Sequence, residues 1–187
     1  MRIEFLLEEQ SMANFLEIIL PKILPHGFVL NENCFLRPHR GKSDLQKSIP
    51  RKIKVFSRFH EQAKIVIIHD QDSSDCVSLK TELEQLCHDN GDCPVLIRIA
   101  CRELESWYLG DMDAIESVYH RFKADKYRNT AKFRNPDVCN PSDELAKIIP
   151  EFQQGYASKT IPKYMNISQN NSESFTQFVR GLSKFIV

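Results

Sequence analysis

Apolar and polar positions divide the chain into short blocks and longer periodic segments. Residues 2–7 (RIEFLL) predict a strand that stops at Glu8-Glu9. Behind Ser11, a candidate cap, Met12, Phe15, Leu16, Ile19 and Ile23 recur at helical spacing, with Pro21 expected to bend or divide that helix. Pro25-His26-Gly27 marks a turn, and residues 28–36 predict a second strand interrupted by Asn31, Glu32 and Asn33. Ser43 with Gln46 forms a capping-box pattern that opens a basic helix to about His60, interrupted by Pro50. Next comes Ile65-Val66-Ile67-Ile68, four β-branched residues without a polar break. Such a run fits a strand buried on both faces, as in a parallel sheet. Ser74 is expected to cap a third helix that ends near Asn90-Gly91, and residues 94–100 (PVLIRIA) predict a further strand.

The rest of the chain reads as helical. Residues 111–121 predict a helix, and residues 124–141 are polar, basic and turn-rich, with Asn-Pro at 135–136 and 140–141. Short helical pieces are expected at 142–149 and 161–165. Asn171 or Ser172 caps a last helix, where Phe175, Phe178, Val179, Leu182, Phe185 and Ile186 make an apolar stripe for core packing. Strand–helix alternation implies an α/β layered fold with a central, mainly parallel sheet of about four strands flanked by helices. The expected organisation is a core over 1–110 with a helical C-terminal extension over 111–187 packed on it as one compact unit.

Composition changes this picture little. The 187 residues are 42% hydrophobic and 27% charged, as in ordinary globular chains. No apolar run is long enough to span a bilayer and no signal-peptide pattern opens the chain, so no membrane partner and a cytoplasmic location are expected. The six cysteines include no CxxC pair, which suits reduced thiols, and Cys87, His88 and Cys93 fit no common zinc spacing. Charge is more informative. The formal total is zero, yet Arg37 to Lys64 carries Lys/Arg at 37, 40, 42, 47, 51, 52, 54, 58 and 64 against Asp44 and Glu61. A second basic stretch holds 121, 123, 126, 128, 132 and 134 against Asp125, whereas 70–92 is acidic. Neutrality overall therefore leaves room for a polyanion partner.

Candidate chemistry gathers at strand ends. Asp70 and Asp72 follow the most apolar strand, Glu8 follows the first, and in open α/β sheets ligands sit beyond the carboxyl ends of strands. One Glu and an Asp-x-Asp could converge on Mg²⁺, a hard cation that takes one or two carboxylates and keeps several waters. Gly41-Lys42-Ser43 is not a P-loop, because Leu36 stands where that motif needs Gly. Lys42, at the start of a helix, could still meet phosphate. Arg102 and Glu105, three apart, would share a helix face, either as a structural ion pair or with Glu103 or Glu105 as a further metal-site carboxylate. Tyr127 and Phe133 could stack a base or pack in the core.

Glu8 with Asp70-x-Asp72 resembles the Toprim fold of topoisomerases, primases and OLD-type nucleases, with Glu9 where that family has Gly. The segments LLEEQSM, HRGKSDL, VIIHDQDSSDC, CRELESWYLGD, KFRNPD and the Asn-Ser-x-Ser-Phe entry to the last helix are similar, in that order, to a bacterial family of Toprim-like proteins. That family is carried mostly as a domain of unknown function and is often encoded beside ATPases in phage-defence or mobile loci. The resemblance implies a Toprim-like (Rossmann-like) fold and a Mg²⁺- or Mn²⁺-dependent nuclease, a hydrolase of DNA or RNA working with an ATPase partner; a homodimer is compatible with it. The resemblance implies Glu8, Asp70 and Asp72 as metal ligands and catalytic residues; from their place after the fourth strand, Glu103 is added as a candidate metal ligand and Glu105 as a candidate catalytic residue. Lys42, Arg40, Arg102, Lys132 and Arg134 are the phosphate-binding candidates. Two rival readings are a non-catalytic Toprim-shaped module that binds nucleic acid or a partner, and a haloacid-dehalogenase-like phosphatase with Asp70 as nucleophile.

Overall fold

Four strands, β1 (Arg2–Leu7), β2 (Cys34–Pro38), β3 (Ala63–Asp70) and β4 (Val95–Ala100), form one sheet in the order β2-β1-β3-β4, and every pair is parallel. The computed structural model describes residues 1–59 and 62–186. Parallel neighbours need crossover connections, and helices supply them. These are α1 (Gln10–Ile23), α2 (Lys42–Phe56) and α3 (Cys76–His88).

Side-chain alternation divides the sheet into two faces. Leu6, Ile65, Ile67, Ile97 and Ile99 pack with Leu45, Ile49, Ile53 and Phe56 of α2 and with Leu79 and Leu83 of α3. Ile3, Phe5, Leu7, Val66 and Ile68 pack with α1 and with the helical C-terminal part. That part comprises α4 (Glu105–Leu109), α5 (Met112–Val118), α6 (Ala124–Tyr127), a 3-10 turn (Pro136–Val138), α7 (Pro141–Ile148), α8 (Gln154–Tyr164) and α9 (Glu173–Ile186). Four buried rings join it to α1. Trp107 stacks on Phe178 at 5.2 Å and meets Phe15 of α1 and Phe175 of α9 at 5.4 Å each.

Several local expectations change. The second strand is Cys34–Pro38, because Asn31 takes a left-handed φ of 66° and the residues before Cys34 turn. Helix α1 starts at Gln10, before Ser11, and contains Pro21 without dividing. Helix α2 starts at Lys42 with Gly41 as cap, so Ser43 and Gln46 form no capping box, and Pro50 sits inside one continuous helix. Its predicted end near His60 lies outside the described residues. Asp75 caps α3 in place of Ser74, accepting the Ser78 N–H at 2.9 Å. Residues 124–141 hold α6 and the 3-10 turn, and α8 begins well before residue 161.

Candidate functional site at the carboxyl edge of the sheet

The order β2-β1-β3-β4 makes the gap between β1 and β3 the place where chain connections diverge to either side. A parallel sheet opens a ligand crevice at such a switch point, beyond the carboxyl ends of its strands. Leu7 pairs with Ile68, so Glu8 leaves β1 beside His69 and Asp70 as they close β3. Asp70 in turn pairs with Ala100, which brings Cys101 and Arg102 to the same edge.

Glu8 is buried, and its Oε2 accepts the Asp70 backbone N–H at 3.1 Å. The same oxygen lies 3.0 Å from Nδ1 of His69, itself only 2% exposed. The amide nitrogen of Gln46 approaches His69 Nε2 at 3.3 Å and can only donate. Nε2 is therefore the acceptor, and Nδ1 carries a proton shared between Glu8 and the Asp70 carbonyl at 2.6 Å. Burial pushes the Glu8 carboxyl up, and His69 and the Asp70 N–H pull it part of the way back. Neither His69 nor Gln46 was among the candidates from sequence. Their signal was present in the period-two pattern, which places His69 on the face of Ile65 and Ile67, toward α2.

Asp70 continues the opposite face, after Val66 and Ile68. The residue is half-buried, and its Oδ1 is shielded from solvent without a hydrogen-bond partner among the described residues. Burial holds the Asp70 carboxyl well above its ordinary range, and Glu8, Glu105, Asp72 and Glu9 push it the same way. A buried carboxylate oxygen facing like charges and no donor is an expensive arrangement for a bare protein.

Asp72 and Arg102 both take left-handed backbone, with φ of 51° and 64°. Asp tolerates this region, and Arg seldom does. They are held by reciprocal bonds: Asp72 N–H donates to the Arg102 carbonyl at 2.8 Å, and the Arg102 guanidinium donates to the Asp72 carbonyl at 3.4 Å. The Arg102 N–H also donates to Gln71 Oε1 at 3.1 Å. Helix α4 begins only at Glu105, so Arg102 and Glu105 share no helix face and make no ion pair with each other. The Asp72 carboxylate is half-exposed and meets Lys42 Nζ at 3.3 Å.

Of the remaining predicted residues, Glu105 and Glu103 interact through their charges with Asp70 and Asp72, whereas Lys132 and Arg134 are engaged elsewhere. Glu103 is half-buried, its Oε2 has no partner, and burial raises its carboxyl. Glu105 is 3% exposed; burial, with Glu103 and Glu9 adding, pushes its carboxyl up to about 7. Arg40 is exposed, and its backbone N–H donates to Asp44. The Gly41 N–H donates to the Glu8 carbonyl at 3.0 Å, so this loop is sewn to the end of β1. Lys132 is paired with Glu144, and Arg134 lines a separate cavity of about 110 Å³ beside Asp113 and Arg128. Tyr127 stacks on Phe122 and meets Phe133 edge-on; Phe133 is buried and Tyr127 packs half-buried against the core.

Two motif segments are structural. Asp137 accepts from Ser172 Oγ at 2.7 Å and from Ser174 N–H at 3.0 Å, and Trp107 Nε1 donates to Ser174 at 2.9 Å. The Ser172 hydroxyl accepts the Phe175 N–H and caps α9.

Residues 7–183 match the family described as Domain of unknown function (DUF4276). The chain belongs to the DUF4276 family. No curated protein matches it. Among solved structures, this DUF4276 chain is similar to the C-terminal region of the Burkholderia pseudomallei OLD protein, at 14% identity and a TM-score of 0.48, over 98% of this chain and 95% of that one. Among the described residues, no three His, Cys, Asp or Glu side chains stand together as a ready ligand set, and no helix is long and apolar enough to cross a membrane.

Glu105 sets a pH dependence of stability. Its folded value of about 7 lies above its ordinary 4.5. Stabilisation from the protonated form is therefore complete below 4.5 and is lost as pH rises through about 7. The loss amounts to about 3 kcal/mol at most. Metal-free thermal melts across this range should show wild-type stability falling with pH, and Glu105→Gln should flatten that slope. Parallel slopes for the two proteins would mean that Glu105 ionises normally.

Proposed function

We propose that this chain is a metal-dependent phosphodiesterase acting on DNA or RNA, with a Toprim-like site at the carboxyl edge of its sheet. The observation that carries the reading is Asp70 Oδ1, an unpartnered buried carboxylate oxygen pressed by like charges beside Glu8 at the switch point. The candidate ligand atoms of Glu8, Asp70 and Asp72 are carboxylate oxygens, which fits a hard divalent cation. One or two carboxylates with bound waters suffice for Mg²⁺, so a site without a closed three-residue set among the described residues is compatible with it. Asp70 and Asp72 would hold the cation, with Glu8 beside it. When bound, a divalent cation supplies charge neutralisation for a phosphodiester and a more acidic water.

The chain's own residues have distinct parts in this reading. Glu8, with its raised proton affinity, is the acid–base group, and His69 with Gln46 fixes its orientation. Lys42 is placed to take a phosphate oxygen on leaving Asp72. Arg102, bonded to the Asp72 carbonyl, holds the loop in its left-handed form. Glu105 and Glu103 lie behind these groups and set the local field.

A non-catalytic binding module is favoured by one observation, the Lys42–Asp72 pair, which occupies an acid the metal would need. Incubation of the wild-type protein with bis-p-nitrophenyl phosphate, and with labelled DNA and RNA, in Mn²⁺ or Mg²⁺ tests both readings. Metal-dependent hydrolysis is expected, with Glu8→Gln slower by about a hundredfold or more. Absence of Mn²⁺ binding by calorimetry, with nucleic-acid affinity retained, would instead establish the binding module.

A further inference from the structure

Helix α2 carries two opposite stripes. Leu45, Ile49, Ile53 and Phe56 are buried against the sheet. On the far side, Lys47, Arg51, Lys54 and Arg58 follow at intervals of four, three and four residues, and all four are exposed. Arg58 lies just past the helix end. None of these four is in an ion pair with a described acid, unlike Lys123, Arg128 and Lys132 of the second basic stretch, which are paired with Glu116, Asp113 and Glu144. The helix begins at Lys42, whose Nζ touches Asp72, so the stripe leads away from the carboxyl edge of the sheet. At its far end Phe59 is 45% exposed, with its ring 5.1 Å from that of Phe56.

We propose that the outer face of α2 is a track for a nucleic-acid backbone, with Lys47, Arg51, Lys54 and Arg58 on successive phosphates and Phe59 as a platform for a base. From Lys47 to Lys54 the helix rises about 10 Å. That length of duplex passes about three phosphates on each strand, so the cation spacing is commensurate with the polymer. An exposed aromatic beside cations is a general means of holding unpaired bases. A lipid surface fits less well, because the apolar face of α2 is committed to the core and is not free to enter a bilayer. The inference rests on the phosphodiesterase reading for its orientation, since it brings the polymer to the Glu8–Asp70 edge.

Binding is measured by fluorescence anisotropy with a labelled single-stranded oligonucleotide and its duplex, in chelator, across a series of NaCl concentrations. The proteins are the wild type, a variant with Lys47, Arg51, Lys54 and Arg58 each changed to Gln, and a charge-matched control with Lys159, Lys163, Arg180 and Lys184 changed to Gln. Gln preserves helix propensity, and circular dichroism confirms folding. The α2 variant should bind at least about tenfold more weakly, and its dependence on log salt should be shallower by roughly 0.7 to 0.9 per lost contact, while the control matches wild type. Equal losses in both variants, no change in the α2 variant, or wild-type binding to phosphatidylserine vesicles but to neither oligonucleotide would overturn the proposal. Hydrolysis of bis-p-nitrophenyl phosphate separates the two claims. The α2 variant should retain it, so lost diesterase activity in the wild type sinks the catalytic reading alone.

Discussion

Asp70→Ala should lower metal-dependent phosphodiester cleavage by about a thousandfold or more, which corresponds to about 4 kcal/mol of transition-state stabilisation. The side chain is expected to hold the cation, and its neighbour His69 is turned to the other face by period-two alternation. Asp70→Asn separates chemistry from folding. It keeps the shape of the side chain but removes a charge that burial and the carboxylates of Glu8, Glu105, Asp72 and Glu9 all disfavour. In metal-free buffer at neutral pH this variant should melt higher than wild type by about 2–6 °C, the equivalent of one or two kcal/mol in a chain of this size. Mn²⁺ should raise the melting temperature of the wild type and leave that of Asp70→Asn nearly unmoved. An Asn variant that melts no higher than wild type and still responds fully to Mn²⁺ would show that Asp70 is neither strained nor a ligand.

Trp107→Ala carries the largest expected cost to stability. The ring is fully buried between α1 and α9, stacked on Phe178 and packed against Phe15 and Phe175. Truncation removes these contacts and leaves the Ser174 hydroxyl, which itself donates to Asp137, without the indole N–H that it accepts. Large aromatic truncations in a core cost about 3–5 kcal/mol, and this site belongs at the upper end because several elements meet there. Urea unfolding followed by circular dichroism is the measurement. A loss below about 1 kcal/mol would mean that the helical C-terminal part closes over the cavity with little strain.

These two residues show where sequence reading succeeded and where it ran out. Asp70 was legible because a β-branched run ending in an acid is a local pattern. Its lack of any partner was not, since that depends on what β1, β4 and α4 bring alongside it. Trp107 lies in a stretch where Arg102, Glu103 and Glu105 are site candidates, yet LESWYLG is largely folding machinery. Gly110 shows the same. A Cβ there would lie 2.8 Å from the backbone nitrogen of Ser172, so Gly is needed for the close approach of the Asn170–Ser172 segment. Arg102 was expected on a helix with Glu105, and the prediction failed because a three-residue spacing has meaning only once the helix has begun. Lys132 was a candidate for phosphate, whereas the fold gives it Glu144.

By itself the sequence determined three of the four strand segments, the layered α/β class and the acids at two strand ends, because β-branching, periodicity and abrupt polarity changes act over a few residues. The tertiary structure decided the rest. Strand order placed β1 beside β3, and their register set Glu8 against the Asp70 N–H. Face alternation then sent His69 toward Gln46 and Asp70 toward Glu105, and the α2 start delivered Lys42 to Asp72. Each of these meetings joins residues from separate elements, and only long-range packing and register specify such pairs.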